Sequence, residues 1–201
     1  MPCGLTLYSA ALIALLAFSA WRPYDGATWA MEVAPVFIVL PLLWATQRRF
    51  PLTPLLYALI FIHALVLMLG GHYSYARVPL GDWMREAFGL ARNPYDGVGH
   101  FMQGFVPAIA ARELLLRHTR LERGGWLFMI VTAVCLAISA LYELIEWGAA
   151  VALGQGAQEF LGTQGDPWDT QKDMALAWIG AMTAQRLLAR RHDRQLAALP
   201  R

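Results

Sequence analysis

The chain has 201 residues, 58% of them hydrophobic and only 15% charged, with mean hydropathy +0.43 and a formal net charge of +2. A soluble domain carries roughly 25% charged residues, so these values place the chain with polytopic membrane proteins. The small net charge offers nothing to nucleic acid, and two cysteines, Cys3 and Cys135, provide neither a disulfide framework nor a paired-cysteine metal site.

A membrane-crossing helix needs about 20 mostly apolar residues. In chain order the predicted spans are 4–21, 30–46, 53–71, 98–116, 125–152 and 172–190, within a single membrane domain covering 1–201. The fold class is therefore all-α, a polytopic helical bundle of about six transmembrane helices. The first span is not read as a signal peptide. It has no basic region before it, and Trp21-Arg22-Pro23 follows it where small residues would mark a cleavage site. The last span has the weakest hydropathy, which leaves five spans and a half-inserted helix as an alternative.

Between the third and fourth spans, Leu80, Trp83, Met84, Ala87, Phe88 and Ala91 recur at helical spacing, with Asp82, Arg85, Glu86 and Arg92 on the other face. This pattern predicts a short amphipathic helix near 80–91, lying at the membrane interface either as a cap on the bundle or as a lid over a site. Pro79 suits its start and Gly89 its end.

Short loops rich in Lys and Arg stay in the cytoplasm. Arg48 and Arg49, then Arg117, Arg120 and Arg123, then Arg190, Arg191, Arg194 and Arg201 fall on one face if both termini are cytoplasmic. The stretch 153–171 contains no Lys or Arg, whereas 72–97 contains Arg77, Arg85 and Arg92 beside acidic residues. The expectation is a multi-pass protein of the bacterial inner membrane, N-in and C-in, with the lipid bilayer as its partner.

With that topology, the polar residues in or beside the spans gather at the outer leaflet. His72 ends the third span, Asp96 and His100 open the fourth, and Glu143 and Glu146 lie in the outer half of the fifth. Asp166 precedes the sixth span, and Asp169 and Asp173 open it. Charge in hydrocarbon is costly, and such residues usually have both a partner and a task. Asp96 and His100 are four apart, Glu143 and Glu146 three apart, and Asp169 and Asp173 four apart, so each pair shares a helix face. Carboxylate-rich bundles bind metals with sets of this kind.

The candidate ligands of a divalent metal ion are His100, Glu143, Glu146 and Asp173, and Gln103, near one turn on, would orient the imidazole. Asp96 or Asp169 would act as general base, and His72 and Asp166 would face the substrate. Simpler readings stand beside these. Asp96 and Asp169 also suit helix caps, His72 an interfacial residue, and His63 a histidine bonded to a neighbouring helix. Arg112 and Glu113, near the cytoplasmic end of the fourth span, read as structural.

These motifs resemble the YjdF-like inner-membrane proteins of bacteria over nearly the whole chain. The likeness rests on Asn93-Pro94-Tyr95-Asp96 with Gly99-His100-Phe101, on Tyr142-Glu143-Leu144-Ile145-Glu146-Trp147, and on Gly162-Thr163-Gln164-Gly165-Asp166 with Trp168, Asp169 and Asp173. A more remote likeness, to VanZ-like membrane proteins, rests on Asp96, His100 and Phe101, on Tyr142 and Glu143, and on Asp173, Gly180 and Ala181. It departs from that pattern at Gly97, where a Lys would be expected, and at Glu146, where a Gln would be.

The resemblance implies a fold, a location and a shared polar site, and neither family supplies a reaction. Three functions stay open at this point. One is a metal-assisted hydrolase or transferase acting on a lipid-linked or periplasmic envelope substrate. The second is an ion- or proton-coupled transporter, and the third an accessory membrane subunit. No Ser or Cys nucleophile lies beside the cluster, which argues against covalent catalysis through such a residue.

Overall fold

Runs of Leu, Ile, Val and Ala with few breakers favour helix over every other state in a bilayer, where each backbone polar group must be satisfied within its own segment. The computed structural model describes residues 2–153 and 164–199, and they are helical with no strand among them. The helices are α1 (Pro2–Ser19), α2 (Gly26–Glu32), α3 (Ala34–Thr46), α4 (Pro54–Tyr73), α5 (Pro79–Phe88), α6 (Tyr95–His118), α7 (Gly125–Leu153) and α8 (Asp169–Ala198), with a 3-10 turn at Tyr75–Arg77. Most of the expected 153–171 connection, with Gly162 and Thr163, lies outside the described residues.

By length and composition, Gly26–Thr46, Pro54–Tyr73 and Gly125–Ala152 are apolar enough to cross a membrane, and Leu5–Ser19 is a shorter apolar helix. Helices α6 and α8 have 24 and 30 residues. At 1.5 Å per residue they reach about 36 and 45 Å, which exceeds a hydrocarbon core of about 30 Å. Both are less apolar because they carry the polar residues of the bundle. The segment expected as one span at 30–46 starts earlier and is broken at Val33, where α2 ends and α3 begins with a proline in its first turn. Proline lacks an N–H and fits a first helical turn, so it restarts a helix at little cost.

The chain forms two compact units, Met1–Pro51 with Phe61–Tyr95, and Leu52–Ile60 with Asp96–Arg201. In the first unit, Leu12, Val33, Val36, Ala64 and Met68 are buried together. Asp25 caps α2 by accepting from the Thr28 N–H at 2.7 Å. That backbone bond first, and the Thr28 hydroxyl next, hold the Asp25 carboxyl below the usual carboxylate range against a small effect of burial.

Helix α5 is the expected amphipathic helix. It ends at Gly89, whose φ of 63° is the left-handed cap that glycine adopts without strain. The buried Asn93 side chain ties it down, donating to the Val78 carbonyl at 3.0 Å and to Asp82 at 3.2 Å. Leu80, Trp83 and Phe88 are left exposed as an apolar row suited to a lipid interface.

In the second unit, Leu55, Leu56 and Leu59 from the start of α4 pack with Val106 and Ile109 of α6, Val131 and Cys135 of α7, and Ala181 and Ala184 of α8. The approach of α6 to α8 is the tightest feature of this core. A Cβ on Gly104 would lie 1.7 Å from the Ala177 carbonyl oxygen, and one on Gly180 would lie 2.1 Å from the Phe101 carbonyl oxygen. Each helix thus offers a glycine to the other's backbone. Small residues allow this close packing between membrane helices, where no hydrophobic effect drives association.

Candidate functional site

One turn and two turns above that crossing, α6 carries His100 and Asp96, and α8 carries Asp173 and Asp169. His100 and Asp173 are 6% and 3% exposed. His100 Nε2 lies 3.6 Å from Asp96 Oδ1 and 4.0 Å from Asp173 Oδ2. One donor atom from each of Asp96, His100 and Asp173 falls within 4.8 Å of the others. This is the group among the described residues that could converge on a single cation.

The other face of the imidazole meets α7. His100 Nδ1 lies 3.2 Å from Gln103 Oε1 and 3.7 Å from Glu143 Oε1. Both atoms are acceptors, so Nδ1 carries the proton and, in the neutral ring, Nε2 keeps its lone pair. That lone pair faces two carboxylates. Three electron-pair donors aimed at one point repel each other unless a cation sits between them or the ring becomes an imidazolium. Metal bonds of about 2.0–2.2 Å separate neighbouring ligand atoms by roughly 3–3.6 Å, shorter than the 4.0 Å from His100 to Asp173, so these side chains would close on an ion by rotation.

Glu143, 8% exposed, has an Oε1 atom with no hydrogen-bond partner, while the Thr170 side chain hydrogen-bonds the same carboxylate. Tyr142 adds an edge-on contact to the His100 ring, with centroids 6.5 Å apart.

The other expected residues are placed as follows. Asp169 is buried at the start of α8, in the electrostatic neighbourhood of Glu143. Glu146 is half-buried on α7, outside the converging group. Asp166 accepts from the Trp168 N–H at 3.0 Å and pairs closely with Lys172, so its carboxylate braces the entry to α8. His72 belongs to the first unit, where its Nδ1 donates to the Ser19 carbonyl at 2.9 Å. His63, at the middle of α4, has a buried Nε2 with no partner.

A second polar cluster occupies the opposite end of α6 and α8. Glu113 and His192 are both 0% exposed, and Arg112 is 4% exposed. His192 Nε2 lies 3.0 Å from Glu113 Oε2, to which the Thr53 hydroxyl donates at 2.8 Å. Arg117 donates to the other Glu113 oxygen at 2.9 Å. Arg112 donates to His192 Nδ1 at 2.8 Å and reaches Asp193 at 2.9 Å, and Arg123 reaches the same Asp193 oxygen at 2.8 Å. Burial pushes the Asp193 carboxyl up, but the hydrogen bonds and charges of Arg123 and Arg112 outweigh that and hold it below the usual carboxylate range.

Arg112 does not run out to water as its position near a span end implies. His192 is the residue that sequence reasoning passed over. Its flanking Arg190, Arg191 and Arg194 read as a solvated tail, yet 173, 177, 181, 185, 188 and 192 recur on one face of α8 and place it below Asp173.

The helical architecture, the apolar segments and the buried polar residues define an integral membrane protein with buried polar clusters. The chain belongs to the family described as Predicted membrane protein (DUF2238), whose model matches residues 4–194. It is 55% identical over 195 residues to inner membrane protein YjdF of Escherichia coli (strain K12), with 97% of this chain and 93% of that protein covered. No solved structure matches the chain.

Proposed function

We propose that this protein is a metal-assisted hydrolase or transferase of the bacterial inner membrane, acting on a lipid-linked or envelope substrate from the non-cytoplasmic side. The observation that carries the reading is the convergence of Asp96, His100 Nε2 and Asp173. In this reading these three side chains hold a divalent cation. Gln103 positions the ring by accepting a hydrogen bond from Nδ1–H, with the Glu143 carboxylate beside it, as carbonyls and carboxylates do behind metal-bound histidines. A cation so held polarises a carbonyl or phosphoryl oxygen, or acidifies a water. Asp169, buried beside Glu143, is the general base. The orientation rests on the arginines of the 47–52 and 117–124 loops and of the tail, which put both termini in the cytoplasm and this site at the outer leaflet.

A transporter needs access from both faces. Between the two polar clusters, α6 and α8 touch backbone to backbone at Gly104 and Gly180, and Ile109, Val131, Ala181 and Ala184 fill the core. A site closed on one side by such packing favours chemistry over transport.

Metal analysis of the full-length protein in lipid nanodiscs tests the reading. The unmodified chain titrated with zinc, manganese or magnesium should hold about one cation. His100→Ala and Asp173→Asn should each lose it while remaining folded. An unmodified chain that takes up none of the three metals, or variants that keep their metal, would overturn it.

A further inference from the structure

We infer that the Glu113–His192–Arg112 cluster is a proton-operated latch that ties the C-terminal end of α8 to α6. The argument begins with the tautomer. A guanidinium has only donors, so the 2.8 Å contact from Arg112 to His192 Nδ1 requires that Nδ1 be bare. The remaining ring proton is on Nε2, where it meets Glu113 Oε2 at 3.0 Å. His192 is therefore neutral in this arrangement, one nitrogen accepting and the other donating.

A second proton could bind only at Nδ1. There it would set an N–H against an N–H of Arg112, bringing two buried cations together, His192 at 0% and Arg112 at 4% exposure. The charged groups facing the ring do not relieve this. Arg112 and Arg117 of α6 and Arg123 of the following loop outnumber Glu113 of α6 and Asp193 of α8, and Thr53 and Gln195 are uncharged.

The guanidinium is then the group that moves, because it can be rehydrated at the helix end and the imidazole cannot. When Arg112 leaves, its bond to Asp193 breaks, and α8 stays tied to α6 at that level through His192 and Glu113 without the clamp of the guanidinium. Arg123 alone then holds Asp193. The Gln195 contact with the Leu55 N–H, 2.8 Å long and one turn further, is the next to be exposed. No bond of the Asp96–His100–Asp173 group takes part, so the latch stands apart from the proposed metal chemistry.

The test follows amide exchange in the α8 tail, 186–198, in the full-length chain in nanodiscs. His100→Ala is built into every sample to remove the other buried imidazole of this unit. Between about pH 8 and about pH 5, the range over which histidine changes charge, tail protection corrected for intrinsic exchange should fall by about tenfold or more. His192→Gln, whose amide can still donate to Glu113 and accept from Arg112, should hold its protection within about twofold.

Should that variant fail to fold, nitrogen NMR of the labelled His192 ring decides. The bare-Nδ1 signature at high pH should give way to a doubly protonated ring at the same pH at which the tail opens. The latch is overturned if the ring stays singly protonated down to about pH 5, if it gains a proton without loosening the tail, or if His192→Gln loses protection as the parent does.

Discussion

The two ends of α6 and α8 hold the same kinds of side chain and treat them in opposite ways. Glu113 receives donors from Thr53, Arg117 and His192, so no oxygen of that carboxylate lacks a partner. At the other end, Glu143 keeps an oxygen with none, and His100 Nε2 lies 3.6 and 4.0 Å from Asp96 and Asp173, beyond hydrogen-bond length. Each guanidinium of the first cluster has a carboxylate within 3 Å, whereas Glu143 of the second has the Thr170 side chain and an imidazole 3.7 Å away. A buried acid with all its donors in place locks helices together, whereas one short of donors repels its neighbours until something positive arrives. Composition alone does not separate a structural site from a chemical one; the balance of donors and acceptors does.

The contrast can be broken most severely at the saturated end. Glu113→Ala strands the Thr53, Arg117 and His192 donors in the core and should destabilise the protein by about 3–5 kcal/mol, the usual cost of orphaning a buried charge partner. Unfolding in detergent monitored by circular dichroism checks this, and a loss below about 1 kcal/mol would remove the distinction between the clusters.

Asp173→Asn at the open end should behave otherwise. In metal-free protein it relieves repulsion and should leave stability within about 1 kcal/mol of the parent, or above it. Added cation should widen the gap in favour of the parent by about 2.7 kcal/mol at a hundredfold excess over Kd. Thermal shifts with and without chelator measure both numbers.

The smallest effect concerns acid. Asp193 has a depressed folded pKa, so its contribution is complete above the unfolded value of about 3.9 and is lost as pH falls through the lower folded value. Asp193→Asn should therefore flatten the acid limb of the stability profile below about pH 4 and leave the neutral region offset by no more than about 1–2 kcal/mol. A variant whose acid limb keeps the parental slope would show that the Arg112 and Arg123 contacts are not formed in solution.

Much of this was legible in the chain before any coordinates. Apolar runs of near-membrane length gave the helices, since a bilayer admits few alternatives, and the α5 pattern was readable from Leu80, Trp83 and Phe88. That acids and an imidazole from α6, α7 and α8 come to one end of a unit was expected from the alternating direction of the spans, with each pair three or four residues apart on one helix face.

Which nitrogen of His100 meets which acid was not legible, because it depends on helix rotation. Glu143, expected among the metal ligands, instead lies against Nδ1. The break at Val33 turns on Pro35, just beyond Glu32, in a segment whose mean hydropathy still suits one unbroken span. His192 was hidden for a different reason. Its partners are about 80 positions away, and its own neighbourhood is arginine, so only the repeat along α8 betrays it.

The reciprocal glycines at 104 and 180 carry one more consequence. Side chains can yield by changing rotamer, but two main chains in contact cannot move closer or drift apart without parting the helices. His100 lies one turn from Gly104, and Asp173 lies two turns from Gly180, so the aperture between them is calibrated by the peptide scaffold. The donor atoms of Asp96, His100 and Asp173 stand 3.6 to 4.8 Å apart on that scaffold, so a bound ion would be fitted by side-chain rotation and not by a shift of the helices.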